Sequence, residues 1–303
     1  MSLNERVAPR CQDMPTGKRS PTRWLEVSVE AAPGAEEAVA DVLRRHVQAG
    51  VSIEGADASV VVRGYLPADG DLPRRRRALR RQLAALALPS AVRTRWLREE
   101  DWAHAWKEFF PVLHVTPRLV VCPTWRSYRP REGEAVVGLD PGMAFGTGQH
   151  ATTLMCLTAL DELLRPGMDV LDLGTGSGVL ALAAARLGAA SVLALDIDRQ
   201  AAAVAGENVR LNGLEEVVRV EEGTLDGLPV PAFDLAMANI SAAVIAKVAP
   251  ALAAALRPGG LLIVAGFSAE SAERVASALA GSGLVVERTL ADGDWRAHIA
   301  RRP

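Results

Sequence analysis

The chain has 303 residues, of which 49% are hydrophobic and 23% are charged, and its formal net charge is −2. The length predicts two domains, and the composition is ordinary for a soluble globular protein. The small net charge gives no general signal of polyanion binding. No apolar run is long enough for a transmembrane helix, and the N-terminus lacks the apolar core of a secretory signal.

The cysteines indicate a reducing compartment. Cys11, Cys122 and Cys156 are odd in number and lack the spacing of metal ligands. Structural disulfides are typical of oxidising compartments, so this set favours a reduced setting. We therefore expect a cytoplasmic protein without a metal site.

The N-terminal third predicts a tail followed by a small domain. Residues 1–22 carry prolines and charges without periodicity, so we expect a disordered tail. Residues 23–98 have the element order β-α-β-β-α-β, which matches the ferredoxin-like α+β fold. Leu25, Val27 and Val29 share one face of the first strand, which should be buried. The strands are predicted at residues 24–29, 51–53, 58–66 and 92–97, and the helices at residues 35–46 and 73–88.

The second predicted helix carries the strongest charge cluster of the chain, with arginines at positions 74–77, 80 and 81. The plainest interpretation is a solvated helix face. A contact with an acidic partner or with RNA phosphates is the alternative. RNA recognition through the sheet of this fold would need aromatic residues on the central strands, and Tyr65 is the only obvious candidate.

Residues 99–111 predict a helix that links the two domains. Trp102, Trp106 and Phe109 recur at i, i+4 and i+7, a stripe that should pack against a domain. Pro111 should end this helix.

Residues 112–303 predict the second domain. Its first strands lie on either side of residues 116–118, and strands then alternate with helices, which indicates a mostly parallel, doubly wound, Rossmann-like α/β sheet. The last two strands should form a hairpin around Asp292-Gly293. The other elements are predicted as strands at residues 168–173, 191–195, 217–221, 233–239, 261–265, 284–290 and 295–300, helices at residues 154–164, 179–187, 243–256 and 269–280, a helix end at residues 206–212, and a turn at residues 257–260.

A βαβ unit over residues 168–198 organises this domain. Gly174, Gly176 and Gly178 follow its first strand, and Asp196 ends its second. Glycines at such a turn let backbone amides and the helix N-terminus approach a ligand, and a carboxylate after the next strand suits a ribose diol. The unit predicts a nucleoside-containing ligand; the alternative is a glycine turn that binds nothing.

Two features distinguish between nucleosides. The third glycine comes one residue earlier than in the dinucleotide fingerprint Gly-x-Gly-x-x-Gly. Asp172, directly before the turn, would place a negative charge near a pyrophosphate. Both features favour S-adenosylmethionine, which carries a cationic sulfonium, over a dinucleotide.

Residues 140–153 form a second glycine loop, Asp-Pro-Gly-Met-Ala-Phe-Gly-Thr-Gly-Gln-His-Ala-Thr-Thr. Its glycines allow dihedral angles that other residues avoid, and Phe145 offers an apolar surface. A lid over the cofactor is favoured over an ordinary surface loop, with Thr152 or Thr153 capping the following helix. For His150 two roles remain open, a base or a ring that fixes the loop by hydrogen bonding.

Asn239 ends the fourth strand of the predicted sheet, at the edge where doubly wound sheets bind ligands. Its amide is expected to orient a substrate amine or to contact the methionine part of the cofactor. A plain turn residue is the alternative.

With these motifs in place, the chain resembles the PrmA family, the methyltransferases of large-subunit ribosomal protein L-eleven. The resemblance runs from about Trp24 to the C-terminus and is most specific in residues 140–153. Asp172-Leu-Gly-Thr-Gly-Ser-Gly178, Asp196-Ile-Asp198 and Ala238-Asn-Ile240 add to it. One departure is Ser241, where the family commonly has leucine.

The resemblance implies a class I methyltransferase domain at residues 112–303 that uses S-adenosylmethionine. Its substrate would be amines of the ribosomal protein, on lysine side chains or at the N-terminus. The small domain would hold that substrate, and the helical linker would let it move. We expect a monomer that needs no membrane and no direct contact with nucleic acid. The cofactor-binding positions implied are Thr153, Gly174, Gly176, Asp196 and Asn239, with Phe145 and Thr147 in the covering loop.

Other functions stay open at this point. A class I methyltransferase could act on another protein, on RNA or on a small-molecule amine. Enzymes that methylate nucleic acids or glutamine amides commonly carry Asn/Asp-Pro-Pro-aromatic where this chain has Asn239-Ile-Ser-Ala242, which disfavours them. The glycine spacing disfavours a nicotinamide-dependent oxidoreductase. The last alternative is a non-catalytic RNA-binding protein with a degenerate nucleotide fold.

Overall fold

The computed structural model describes residues 23–31, 35–44, 46–47, 51–54, 60–68, 71–86, 92–98, 110–140, 148–228 and 230–303. The predicted tail and residues 99–109 of the predicted linker helix, with its aromatic stripe, lie outside these ranges. Phe145 and Thr147 of the predicted covering loop do so as well.

The chain forms two compact units that divide between Pro111 and Val112. The smaller unit consists of β1 (Arg23–Ala31), α1 (Glu36–Arg44), β2 (Val51–Glu54), β3 (Val60–Pro67), α2 (Leu72–Ala85) and β4 (Val92–Arg98). Its sheet has the order β2-β3-β1-β4 with every neighbouring pair antiparallel. This is the strand order of the ferredoxin-like fold, as predicted.

The core of the smaller unit lies between its sheet and its helices. Alternate residues of β1, Leu25, Val27 and Val29, are buried in one cluster with Leu43 of α1 and Leu79 of α2. Because successive side chains of a strand point to opposite faces, this spacing of two places a single apolar face against the helices.

The larger unit holds a seven-stranded sheet and a small three-stranded one. Its elements are β5 (Leu113–His114), β6 (Leu119–Pro123), β7 (Ala135–Leu139), α3 (Ala151–Leu163), β8 (Asp169–Leu173), α4 (Val179–Arg186), β9 (Ser191–Asp196), α5 (Arg199–Leu211), β10 (Val218–Glu222), β11 (Phe233–Asn239), α6 (Ala242–Ala255), β12 (Leu256–Ser268), α7 (Ala269–Gly281), β13 (Val285–Asp292) and β14 (Trp295–Arg301).

The large sheet has the order β10-β9-β8-β11-β12-β14-β13. The five neighbouring strands at one side of the sheet are parallel to one another: β10, β9, β8, β11 and β12. Strand β14 is antiparallel to both β12 and β13. The mostly parallel doubly wound sheet and the closing hairpin are therefore confirmed, with Gly293 at φ +52° in the hairpin turn.

Both faces of the large sheet are buried. On the central strand β11, Leu235 and Met237 belong to one apolar cluster, whereas Ala236 and Ala238 belong to another. A parallel sheet covered on both faces reads as a continuous apolar run, which is why Phe233–Asn239 has no alternating pattern. The carboxyl ends of β8, β9 and β11 lie next to one another in this arrangement.

Among the strands, two differ most from the prediction. Strand β7 was not predicted; it has five residues, includes a glycine, and pairs in parallel with β6. Strand β12 begins at Leu256 and not at Leu261, because the predicted turn is an irregular segment within the strand between its pairings with Phe233 and Leu235. A side chain at Gly260 would lie 2.8 Å from the Arg257 carbonyl oxygen, so the tight path needs glycine there.

Among the helices that the structure describes, none is both long and apolar enough to span a bilayer.

Candidate cofactor site

The first glycine turn joins β8 to α4 by a path that only glycine tolerates. Gly174, Gly176 and Gly178 have φ values of +74°, +57° and +86°. A Cβ atom at Gly174 would lie 2.4 Å from the Cγ2 atom of Ile240, and one at Gly178 would lie 3.2 Å from the Cβ atom of Ala205. Gly174 and Gly178 therefore let the segment after β11 and helix α5 approach the turn closely.

The carboxylate that follows β9 is fixed against this turn. Asp196 Oδ2 accepts a hydrogen bond from the Gly176 backbone N–H at 2.9 Å, and Oδ1 accepts one from the Asp198 N–H at 2.9 Å. Each carboxylate oxygen can accept a further bond, and Asp196 is half-buried. The group is therefore held in place with acceptor capacity left for the two hydroxyls of a ribose.

Ile197 was not identified from the sequence as a site residue. It lies directly after Asp196, and at 76% exposure it is the most exposed of the large apolar residues in the described ranges. An exposed apolar surface beside a carboxylate with acceptor capacity for a ribose suits the flat face of a base. The signal in the sequence was an isoleucine between two aspartates at a strand end.

Asp172 places a buried acidic group under the turn. It is 1% exposed and accepts a 2.7 Å hydrogen bond from the Thr175 hydroxyl. Burial raises the pKa of Asp172 to about 6, against the lowering effect of the Thr175 bond and with a smaller contribution from the Asp196 charge. At neutral pH the group is mostly ionised, so it favours a cation over a pyrophosphate at this turn.

Asn239 lies at the carboxyl end of β11 and is linked to the start of α3. Its Nδ2 group donates to the hydroxyl of Thr153 at 3.2 Å. Thr153 is 1% exposed, whereas Asn239 is half-buried. With Nδ2 engaged, the amide oxygen of Asn239 is the atom with acceptor capacity to offer a ligand.

The predicted cap of α3 was wrong. The N-cap residue is His150, whose Nδ1 atom accepts from the Thr152 N–H at 3.4 Å and lies 2.8 Å from the Thr152 hydroxyl. Thr152 and Thr153 already lie in the helix, where a hydroxyl cannot reach the second or third amide as a cap does. The His150 ring also meets Trp295 edge-on at 4.7 Å, so it fixes the segment before α3.

Two buried asparagines, Asn208 on α5 and Asn212 directly after its end, were not identified from the sequence as site residues. The first of them braces the start of the second glycine loop. Asn208 Oδ1 accepts from the Asp140 N–H at 3.0 Å, while its Nδ2 donates to the carbonyls of Asp140 and Ser177, both at 2.8 Å. One side chain therefore joins the first residue of the second glycine loop to the first glycine turn.

Asn212, one helical turn later, holds β7 in the same way. Its Oδ1 accepts from the Gly138 N–H at 2.9 Å, and its Nδ2 donates to the carbonyls of Gly138 and Asn208. Residues four apart lie on one helix face, so α5 presents two amides to the backbone at and just beyond the end of β7.

Five of the seven predicted site residues come together at one edge of the sheet: Gly174 and Gly176 after β8, Asp196 at the end of β9, Asn239 at the end of β11, and Thr153 in the first turn of α3. The contacts between Asp196 and Gly176, and between Asn239 and Thr153, join them in pairs. Phe145 and Thr147 lie outside the described residues.

The opposite edge of the sheet carries a cleft with a different character. Arg257 lines it and forms ion pairs with Asp169 at 2.8 Å and Asp234 at 2.6 Å. These charges are paired with one another and tie together the amino ends of β8, β11 and β12, so the cleft is structural in character. No group of His, Cys, Asp and Glu residues suited to a metal ion occurs in the described ranges.

Comparison with known proteins covers nearly the whole chain. The family model described as "Ribosomal protein L11 methyltransferase (PrmA)" matches residues 23–303. A ribosomal protein L11 methyltransferase of Chloroflexus aurantiacus is 41% identical over 324 residues, covering 93% of this chain and 99% of its own. One from Pelotomaculum thermopropionicum is 45% identical over 304 residues, covering 92% and 98%.

A solved structure agrees with these sequence comparisons. The crystal structure of a ribosomal protein L11 methylase from Lactobacillus delbrueckii subsp. bulgaricus superposes with a TM-score of 0.59 at 32% identity. The match covers 63% of this chain and 98% of that one.

Proposed function

Because the chain belongs to the family of ribosomal protein L11 methyltransferases (PrmA), we propose that it methylates amino groups of that ribosomal protein. It is a methyltransferase of the class I fold, and its cofactor is S-adenosylmethionine. We propose amines as the target of methylation, either on lysine side chains or at the N-terminus of the ribosomal protein.

One observation carries the assignment of the cofactor site. The Asp196 carboxylate, placed to receive a ribose, is bound by the amide of Gly176 in a turn where Gly174 has no room for a side chain. Asp172 lies buried beneath the same turn and favours a cationic ligand. A ribose acceptor, a close backbone approach and a buried negative charge together fit S-adenosylmethionine.

We assign cofactor binding to Thr153, Gly174, Gly176, Asp196 and Asn239, and assign the covering of the cofactor to Phe145 and Thr147. Ile197 adds an apolar surface for the adenine. Thr153 acts through Asn239, whose amide it orients.

The cofactor supplies an electrophilic methyl group on a sulfonium, and the chain's residues align the incoming amine with it. Displacement needs a neutral amine nitrogen in line with the methyl group, so alignment and exclusion of water provide most of the rate. The Asn239 amide oxygen accepts a hydrogen bond from the amine N–H and leaves the nitrogen lone pair free. An amide takes up no proton at neutral pH, so the amine loses its proton to solvent before transfer.

We propose that residues 23–98 recognise the protein substrate and that residues 99–111 link this module to the methyltransferase unit. Two observations support this division. The small unit has the ferredoxin-like sheet order, and all of the proposed cofactor contacts come later in the sequence, after residue 111. We further propose a cytoplasmic monomer; the two described cysteines, Cys122 and Cys156, are buried thiols.

The proposed activity is tested by incubating the protein with S-adenosylmethionine and the purified ribosomal protein, followed by peptide mass spectrometry. Methyl groups on amino nitrogens support the proposal. Methylation that appears only on RNA or on a small-molecule amine in parallel reactions would favour the alternative class I functions. Calorimetric titration with S-adenosylhomocysteine and with NAD separates both from an oxidoreductase.

A further inference from the structure

We propose that the exposed arginines of α2 form a binding surface for the phosphate backbone of RNA, here called the α2 arginine surface. It consists of Arg74, Arg77, Arg80 and Arg81. The choice of RNA as the source of phosphate rests on the proposed function, since a ribosomal protein is found on RNA.

The helix separates these arginines from its buried face. Leu72, Leu79 and Leu83 are buried and pack in the core of the small unit, whereas the four arginines are exposed. At 100° per residue, the arginines cover an arc of about 120° that faces away from the leucines, and at 1.5 Å per residue they extend over about 10 Å. They therefore present several guanidinium groups to one extended anion.

The four arginines have no acidic partners in the described parts of the chain. By contrast, arginines on β4 are paired: Arg93 with Glu30 at 2.9 Å and Arg95 with Glu26 at 3.2 Å. Like charges three and four residues apart weaken a helix, and the first turn of α2 carries no acidic residue to offset them. Repulsion between the arginines therefore destabilises the helix, and a bound anion would reduce that repulsion.

The charge of the small unit differs in sign from that of the whole chain. Residues 23–98 contain thirteen arginines and nine acidic residues, a net charge of +4, whereas the whole chain has −2. The positive charge is therefore local to this unit and is concentrated on one helix, the pattern of an electrostatic footprint for a polyanion.

The chemistry of the surface favours phosphate over an acidic protein. Binding hot spots between proteins are enriched in tryptophan, tyrosine and arginine that pack into desolvated pockets. Helix α2 supplies arginines but no aromatic residue, and its leucines are buried in its own unit, so it offers no apolar anchor beside the charges. Guanidinium groups bind phosphate oxygens in a bidentate fashion. Tyr65 is 4% exposed and is not available for base stacking, and the exposed aromatic residue of the sheet, Trp96 at 54%, lies on the edge strand β4 and not on α2. We therefore expect contacts with the backbone that do not depend on base sequence.

The first test measures binding of the full chain to an RNA duplex of arbitrary sequence, without cofactor or protein substrate. Between about 50 and 200 mM salt, four phosphate contacts predict a slope of log K against log salt of about −3.6. Arg77→Gln with Arg81→Gln should reduce that slope by about 2 and weaken binding by at least about tenfold. Arg77→Lys with Arg81→Lys keeps the charge and should retain most of the affinity.

Arg210→Gln with Arg219→Gln is the matched control, because it removes the same charge from exposed arginines of the larger unit that are paired with Glu207 and Glu221. This control should bind RNA like the wild type. A slope near zero, or equal losses in the control and in the α2 variant, would overturn the proposal.

The second test identifies the source of the phosphate. The Gln variant of Arg77 and Arg81 should lose more kcat/KM on the ribosomal protein bound to its RNA than on the free ribosomal protein. An equal loss on both forms would indicate an acidic protein surface as the partner, and no loss on either form would exclude RNA; both results overturn the proposal. A protein that binds the duplex as expected but methylates neither form would instead refute the proposed function alone.

Discussion

The carboxylate of Asp196 accepts a hydrogen bond from the backbone amide of Gly176 at 2.9 Å, across twenty residues of sequence. This bond joins the carboxyl ends of β8 and β9, so the turn and the carboxylate are held as one unit before any ligand arrives. A site organised in this way loses little entropy when the ribose and the methionine part bind together.

Asp196→Ala should weaken binding of S-adenosylmethionine by about 10- to 100-fold in Kd, because a charged hydrogen bond is worth about 1.5–3 kcal/mol. Isothermal titration calorimetry measures the change. Asp198→Asn is the control, since it removes a neighbouring charge but keeps an N-cap residue for α5, and it should bind almost normally. Unchanged affinity in a folded Asp196→Ala protein would refute the ribose assignment.

Asn208→Ala and Asn212→Ala form a matched pair. Each removes three hydrogen bonds with backbone groups and should lower the free energy of unfolding by about 3 kcal/mol. Only Asn208 contacts the first glycine turn, through the Ser177 carbonyl, so only its replacement should also weaken cofactor binding markedly. Equal cofactor affinities in the two variants, measured below their unfolding temperatures, would show that the brace serves stability alone.

Asp172 predicts opposite effects on stability and on binding. Its pKa is raised to about 6 in the folded protein, from an ordinary value near 3.8, so its ionisation opposes folding. The favourable contribution is complete below about pH 4 and is lost as the pH rises through 6. Asp172→Asn should therefore raise the free energy of unfolding by about 3 kcal/mol at pH 8 and by little near pH 4. Denaturant unfolding at both pH values measures this, with the exposed Asp226→Asn as control.

The same substitution should weaken cofactor binding at neutral pH, because it removes the negative charge that favours a cation. In the wild type, affinity for S-adenosylmethionine should rise between about pH 5 and 8 as Asp172 ionises, and Asp172→Asn should flatten that dependence. A variant that is stabilised and also binds more tightly would contradict this role.

Hydrogen exchange should slow across residues 140–153 when S-adenosylhomocysteine is added. The glycines there have much conformational freedom to lose, and Phe145 offers an apolar surface for a cofactor to cover. Strand β6 provides the internal control, since its exchange should not change. Equal exchange of the loop with and without ligand would favour an ordinary surface loop.

The local patterns of the chain were enough to predict the element order of the smaller unit, most elements of the larger one, the buried face of β1 and the edge of the sheet at which the site residues meet. A glycine turn, a following carboxylate and alternating strands are short-range signals. They were sufficient to predict where Gly174, Gly176 and Asp196 lie in the fold. Asn239 could be placed because the carboxyl end of a parallel strand faces the ligand crevice.

The parts that could not be predicted depend on contacts distant in sequence or on an unusual residue type. Asn208 and Asn212 bond to backbone groups 68 and 74 residues earlier, and nothing near them in sequence marks those partners. His150 was passed over as a cap because threonines follow it and are the commoner capping residues. Strand β7 is short and contains a glycine, so its sequence gives only a weak strand signal. The second glycine loop, which follows it, is the more conspicuous feature.

The most direct measurement is peptide mass spectrometry of the ribosomal protein after reaction with S-adenosylmethionine that carries an isotopically labelled methyl group. We predict labelled methyl groups on its amino nitrogens with the wild type and a strong loss of label with Asp196→Ala. If the wild-type protein binds the cofactor but leaves every amine of the ribosomal protein unlabelled, the proposed function is wrong.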